Sequence, residues 1–105
     1  MILQPMDKSQ KKQLRQLWRE QQRTDARSKF PLPPAELRDM FDMLDVELPH
    51  QGCDHTRRLT KAWIESRGHD TETIFAWLDE NGGFCDCEVL ANVEQHFEDA
   101  MHDAD

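Results

Sequence analysis

Two short stretches of this chain carry residues able to do chemistry. Cys53 and His55 flank Asp54, and Cys85 and Cys87 flank Asp86. Every cysteine in the chain lies in one of these two pairs. Three thiolates and one neutral imidazole form a donor set that suits a tetrahedral zinc ion. The expected metal ligands are therefore Cys53, His55, Cys85 and Cys87, holding one structural Zn2+. The spacing departs from the usual pattern, in which about two to four residues separate paired ligands; each pair here is split by one. His50, three residues before Cys53, is a candidate fourth or substitute ligand outside the expected set.

Other readings of the same residues stand beside this one. Free cysteine packs as a small apolar residue, so the thiols can be plain core near Trp63 and Trp77. Cys85 and Cys87 can instead form a redox dithiol, or serve a zinc- or thiol-dependent enzyme with an acidic neighbour. A catalytic zinc keeps one position open for water and needs a base close by. Asp54, Asp86 and Glu88 are near, but they read better as helix caps and first-turn charges. No catalytic residue is assigned. His69, His96 and His102 read as solvated residues at helix ends.

The elements that must position these pairs read as helices, with no alternating run long enough for a strand. Residues 7–26 are rich in Gln, Lys and Arg and favour helix. Leu14, Leu17 and Trp18 make one apolar patch there, expected to dock over one or two turns, on the chain's own body or on a partner. Phe30-Pro31-Leu32-Pro33-Pro34 reads as a linker that stops this helix. Pro34 suits the first turn of the next, whose core stripe is Leu37, Met40, Phe41 and Leu44, with Pro49 as its latest end. Asp54 is the expected N-cap of a third helix burying Leu59, Ala62 and Trp63, closed by Gly68. Asp70 or Thr71 caps a fourth, burying Ile74, Trp77 and Leu78 and ending at Asn81-Gly82-Gly83. Asp86 is the expected N-cap of the last helix, with Val89, Leu90, Val93, Phe97 and Met101 along one side. Its end carries Glu98, Asp99, Asp103 and Asp105, the wrong sign for a helix C-terminus. Both ligand pairs are thus expected at helix starts, where backbone N–H groups favour a thiolate.

The expected fold is all-α: a small helical domain of four to five helices whose loops join at zinc. Residues 1–33 form a basic helix and Pro-rich linker, and residues 34–105 the zinc-stabilised domain. With 105 residues, 37% hydrophobic and 32% charged, the core is thin, and a bound metal is a usual staple for such a chain. Zinc binding worth about 10 kcal/mol would enter directly as folding free energy.

Charge is divided along the chain. Residues 1–33 hold eight Lys/Arg against three acidic residues, net +5, and the remainder is net −13. The acidic body repels nucleic acid; the basic arm suits RNA, an acidic protein partner, a second copy of the chain or its own body. No apolar run is long enough for a membrane span and no signal-peptide core follows Met1, so a cytoplasmic location is expected, where thiols stay reduced.

The motifs CDHTRRLT (Cys53 to Thr60), AWL (Ala76 to Leu78) and ENGGFCDCEVLANVE (Glu80 to Glu94) resemble the bacterial DUF2695 family. The likeness extends over roughly residues 30–97 and takes in the Leu37–Leu44 helix as lead-in. It implies a bacterial cytosolic protein in which these Cys and His belong to a family pattern. It implies no particular activity. The leading expectation is a zinc-stabilised helical interaction module.

Overall fold

The computed structural model describes residues 7–102. Asp103 and Asp105, expected at the end of the last helix, lie outside the described residues. Among the described residues there are five helices and no strand. They are α1 (Lys8–Ser28), α2 (Pro34–Gln51), α3 (Arg58–Ser66), α4 (Thr71–Glu80) and a last helix over residues 86–101. The all-α expectation is met. No helix among the described residues is long and apolar enough to cross a membrane.

The core follows the 3.6-residue period. Leu37, Met40, Phe41 and Leu44 of α2 are buried. They meet Ile74, Trp77 and Leu78 of α4 and Val89, Val93 and Phe97 of the last helix in one cluster. Phe30 and Leu32 pack against this cluster. The Phe30 ring stacks on Phe97 at 5.3 Å and meets Trp77 edge-on at 5.7 Å. The Pro-rich segment is therefore tied to the body by its apolar residues.

Four local expectations change. First, Pro49 does not end α2, which runs on to Gln51. A proline one turn from a helix end forfeits a single backbone hydrogen bond, and here that turn faces solvent. Gly52, at φ +71, closes the helix with its N–H on the Leu48 carbonyl.

Second, Asp54 does not cap α3. It makes a turn of its own, accepting from the Thr56 N–H at 3.0 Å, the Thr56 hydroxyl at 2.5 Å and Arg58 Nε at 3.2 Å. The Thr56 hydroxyl first, with Arg58 behind it, holds the Asp54 carboxyl below its ordinary range. Third, α3 buries Leu59, Thr60, Trp63 and Ile64, while Ala62 is exposed. The buried face is rotated because Thr60 is needed inside, for a reason that belongs to the site.

Fourth, the apolar patch of α1 does not dock on the body. Leu14, Leu17 and Trp18 are 49%, 61% and 62% exposed, and no residue of α1 is buried. What attaches α1 is its other end, where Arg27 Nη1 donates to the Ala100 carbonyl at 2.7 Å. A cation there also answers the wrong-signed C-terminus of the last helix. The N-terminus of α1 is closed by a capping box between Asp7 and Gln10.

Candidate functional site

The two Cys-bearing loops meet at the start of the last helix. Three features of the sequence bring them there. At the end of α4, Gly82 takes φ +79, which lets the Gly83 N–H return to the Leu78 carbonyl at 2.8 Å. Gly83 then passes so close to the last helix that a Cβ would sit 2.6 Å from Val93 Cγ2 and 3.2 Å from Val89 Cγ2. The contact falls on a wide π-turn over Val89–Val93, where the Glu94 N–H reaches back to the Val89 carbonyl. Asn92 fastens the same place, its amide donating to the Gly82 carbonyl at 2.9 Å. Such single wide turns in α-helices are frequent beside functional sites.

The third feature is Asp86, fully buried in this charged chain. It was expected to cap its own helix. Cys85 instead stands at the N-cap position, and the Asp86 carboxylate crosses to the start of α3. There it accepts from the Leu59 N–H at 3.1 Å, the Thr60 N–H at 3.1 Å and the Thr60 hydroxyl at 2.7 Å. Its own N–H donates to the Thr56 carbonyl at 3.0 Å. The α3 N–H groups have no partner within their helix, and a carboxylate there is favoured by the helix dipole. Charge-assisted bonds of this kind are worth about 1.5–3 kcal/mol each. Thr60 is turned inward to complete the set, which explains the rotated face of α3. Arg57 adds an outer tie, bonding Asp79 at 2.7 Å and the Gly83 carbonyl at 3.2 Å and lying 3.9 Å over the Phe75 ring.

Asp86 stands between Cys85 and Cys87, so this clamp fixes where those thiols lie. It sets them beside Cys53, whose thiol meets both of theirs. Backbone N–H groups of Cys87 and then His55 support the Cys53 thiolate and hold its pKa below the usual thiol value. Burial pushes Cys85 up. Cys87 is pushed up to about 11, mainly by its contact with Cys53. Cys53 is thus the thiol that loses its proton first, and its charge opposes ionisation of the other two. Cys85 Sγ also lies 3.5 Å from Glu88 Oε1.

The three thiols predicted as ligands are therefore gathered, Cys85 buried, Cys53 half-buried and Cys87 exposed. His55 contributes its backbone N–H to Cys53, and it is exposed. His55 holds φ +69, the sole non-glycine residue in the left-handed region among those described. Strain of this kind persists only where the surroundings impose it, and it concentrates at functional sites. Among the described residues, no group of three or more His, Cys, Asp or Glu side chains is placed as a ready metal-binding set. The expectation that both pairs sit at helix starts is half met. Cys85 and Cys87 do, but α3 begins only at Arg58, which leaves Cys53 and His55 in the loop.

The buried-thiol alternative fits Cys85 alone, because Cys87 is exposed. His50 is exposed on the last turn of α2. His69 is no solvated end residue: its Nε2 lies 3.1 Å from Glu36 Oε2, and its ring packs 5.8 Å from Trp63.

The residue that sequence reasoning missed is Thr60, and with it the true partner of Asp86. The available signal was the repeated Cys-Asp unit ahead of two helices. An Asp near one helix start can serve another helix start if the two lie side by side.

Comparison with known proteins gives a consistent picture. Two relatives, uncharacterised proteins of Mycobacterium tuberculosis and Mycobacterium bovis, are each 34% identical over 90 residues, covering 86% of this chain and 91% of the relative. No solved structure matches the chain. A profile of the family described as proteins of unknown function (DUF2695) matches residues 40–92, a span that runs from the core stripe of α2 through both Cys-bearing loops to the π-turn. The chain belongs to the DUF2695 family.

Proposed function

We propose that this protein is a small helical interaction module whose two loops are locked by one zinc ion, held by Cys53, Cys85, Cys87 and His55. The observation that carries the reading is the gathering of all three thiols of the chain at one junction. They come from two loops 32 positions apart, positioned by a buried carboxylate that has no need of them. Thiolates that repel one another are what a divalent cation relieves. His55, exposed in the loop that carries Cys53, is the fourth ligand of this reading.

The chemistry favours a structural ion over a catalytic one. Asp86 has both carboxylate oxygens engaged by α3, so it is not free to act as a base. Asp54 is likewise committed to Thr56 and Arg58. A four-ligand shell leaves no open position for water.

Metal content of protein purified without added zinc tests this reading. One zinc per chain is expected, with a lower Tm in chelator. Cys53→Ala, Cys85→Ala and Cys87→Ala should each lose the metal. Protein that carries no metal, takes none up from solution and melts identically in chelator would sink the proposal. A retained ion in His55→Ala would remove His55 from the ligand set while leaving the thiols in it.

A further inference from the structure

The α1 helix sorts its charges by face. At about 100° per residue, Lys8, Lys11, Lys12, Arg15 and Arg19 fall on one stripe, with Arg23 continuing it, while Asp7, Glu20 and Asp25 fall elsewhere. Lys8 and Lys12, Lys11 and Arg15, and Arg15 and Arg19 are i,i+4 pairs of like charge, an arrangement that destabilises a lone helix. Among the described residues, no carboxylate lies within salt-bridge distance of any of these cations.

From Arg19 onward, the stripe borders a cavity of about 700 Å³ between α1 and the body, which Glu80 and Asp99 also line. The chain therefore already sets this stripe against its own acidic residues where the two overlap. His102, the residue that follows the last helix, lines that cavity with Arg19. Residues 8–18 carry the stripe away from it, and the molecule is 63 Å long against 25 and 21 Å across.

The body holds the complement at another place. Asp42 and Asp45, exposed on α2, and Glu94, half-buried, and Glu98, exposed, on the last helix packed against it form an acidic patch, and among the described residues none of the four has a basic partner. Exposed apolar side chains border each surface. Trp18 lies beside Lys11 and Arg15 on α1, and Val46 beside Asp42 and Asp45 on α2.

We propose that two copies of the chain exchange arms, the basic stripe of each α1 lying on the Asp42/Asp45/Glu94/Glu98 patch of the other. Charge complementarity selects a second copy, because the chain carries both halves of the contact and, among the described residues, no cation of the stripe pairs with its own patch. The reciprocal arrangement closes on itself as a two-fold dimer. It is independent of the metal reading, since it uses no residue of the thiol junction.

Sedimentation equilibrium on the full chain tests the exchange. In low salt, about 50 mM, the expected mass is twice the 12.4 kDa of one chain. Raising salt to about 500 mM should weaken the apparent Kd at least about tenfold, because exposed pairs are screened. Lys11→Glu with Arg15→Glu should give a monomer, and so should Asp42→Lys with Asp45→Lys. Mixing these two variants should restore a dimer of one copy of each, because both contacts are again of opposite sign. Circular dichroism on each variant alone confirms that it is folded. Wild-type protein that is monomeric in low salt would overturn the proposal. So would a dimer indifferent to both variants, or a mixture that stays monomeric. A monomer whose arm binds an RNA oligonucleotide in a salt-dependent way would assign the stripe to nucleic acid instead.

Discussion

The junction around Asp86 and the overhanging half of α1 use charge in opposite ways. At the junction, one buried carboxylate is met by three donors from another helix. On the overhang, residues 8–18, four cations share a stripe with no carboxylate within salt-bridge distance among the described residues. Burying an ion is costly unless its hydrogen bonds are complete, and complete ones make removal of a partner severe. Exposed charges on a solvated helix contribute little in either direction. The junction should therefore dominate the stability of the fold, and the overhang should be nearly silent in it while governing association.

The largest effect should come from Asp86→Ala, which leaves two backbone N–H groups and a hydroxyl without their acceptor. A loss of about 4 kcal/mol is expected in urea unfolding. A loss under about 1 kcal/mol would mean that the junction is not where stability resides. Combining Asp86→Ala with Thr60→Val should cost less than the sum of the two, because both remove the same hydroxyl bond. Strict additivity would show that the pair does not act as a unit.

Gly83→Ala tests the close approach of the α4 end to the π-turn. The added methyl meets Val93 Cγ2 at 2.6 Å, and overpacking of this kind costs about 2 kcal/mol. An unchanged urea midpoint would mean that the wide turn moves aside freely.

Glu94 gives a smaller effect with a definite pH dependence. Burial, then Asp45, Glu98 and Asp42, raise its pKa above the ordinary 4.5. A carboxyl raised in the folded state binds its proton more tightly there than in the unfolded chain. Its contribution to stability is thus present at pH below about 4.5 and is lost as pH rises through the folded value. Glu94→Gln should stabilise the monomer near neutral pH by less than about 0.5 kcal/mol, and the gain should vanish in acid. A gain that grows on acidification would reverse the sign argued here.

Leu17→Gln on the overhang should be the quietest of all. With Leu17 61% exposed, the expected change in unfolding free energy is within about 0.5 kcal/mol. A loss of about 2 kcal/mol, the scale of a buried leucine, would show that the α1 patch is covered in solution.

Much of the fold was legible because helix periodicity is a local property. The stripe of Leu37, Met40, Phe41 and Leu44, the buried face of α4 and the glycine at the end of α3 all came through as read. Pro49 misled because position decides the cost of a helical proline: near an exposed end, one bond is lost to water and the turn survives. Ala62 misled because apolar periodicity passes over a buried hydroxyl, and Thr60 owes its place to a partner 26 residues away. At the site, the cysteines could be singled out by type and spacing, and the structure does set them together. How they are set together was not legible, since an aspartate at a helix start looks the same whichever helix its carboxylate serves.

By itself, the sequence determined the helices, the two Cys-bearing loops and the division into a basic arm and an acidic body, all of which follow from local propensity, period and charge. Tertiary structure alone decided that Asp86 would reach across to Thr60, and that the apolar residues of α1 would be left in solvent. Both outcomes depend on which helix ends lie side by side, and that is settled by packing of the whole core rather than by any one stretch of chain.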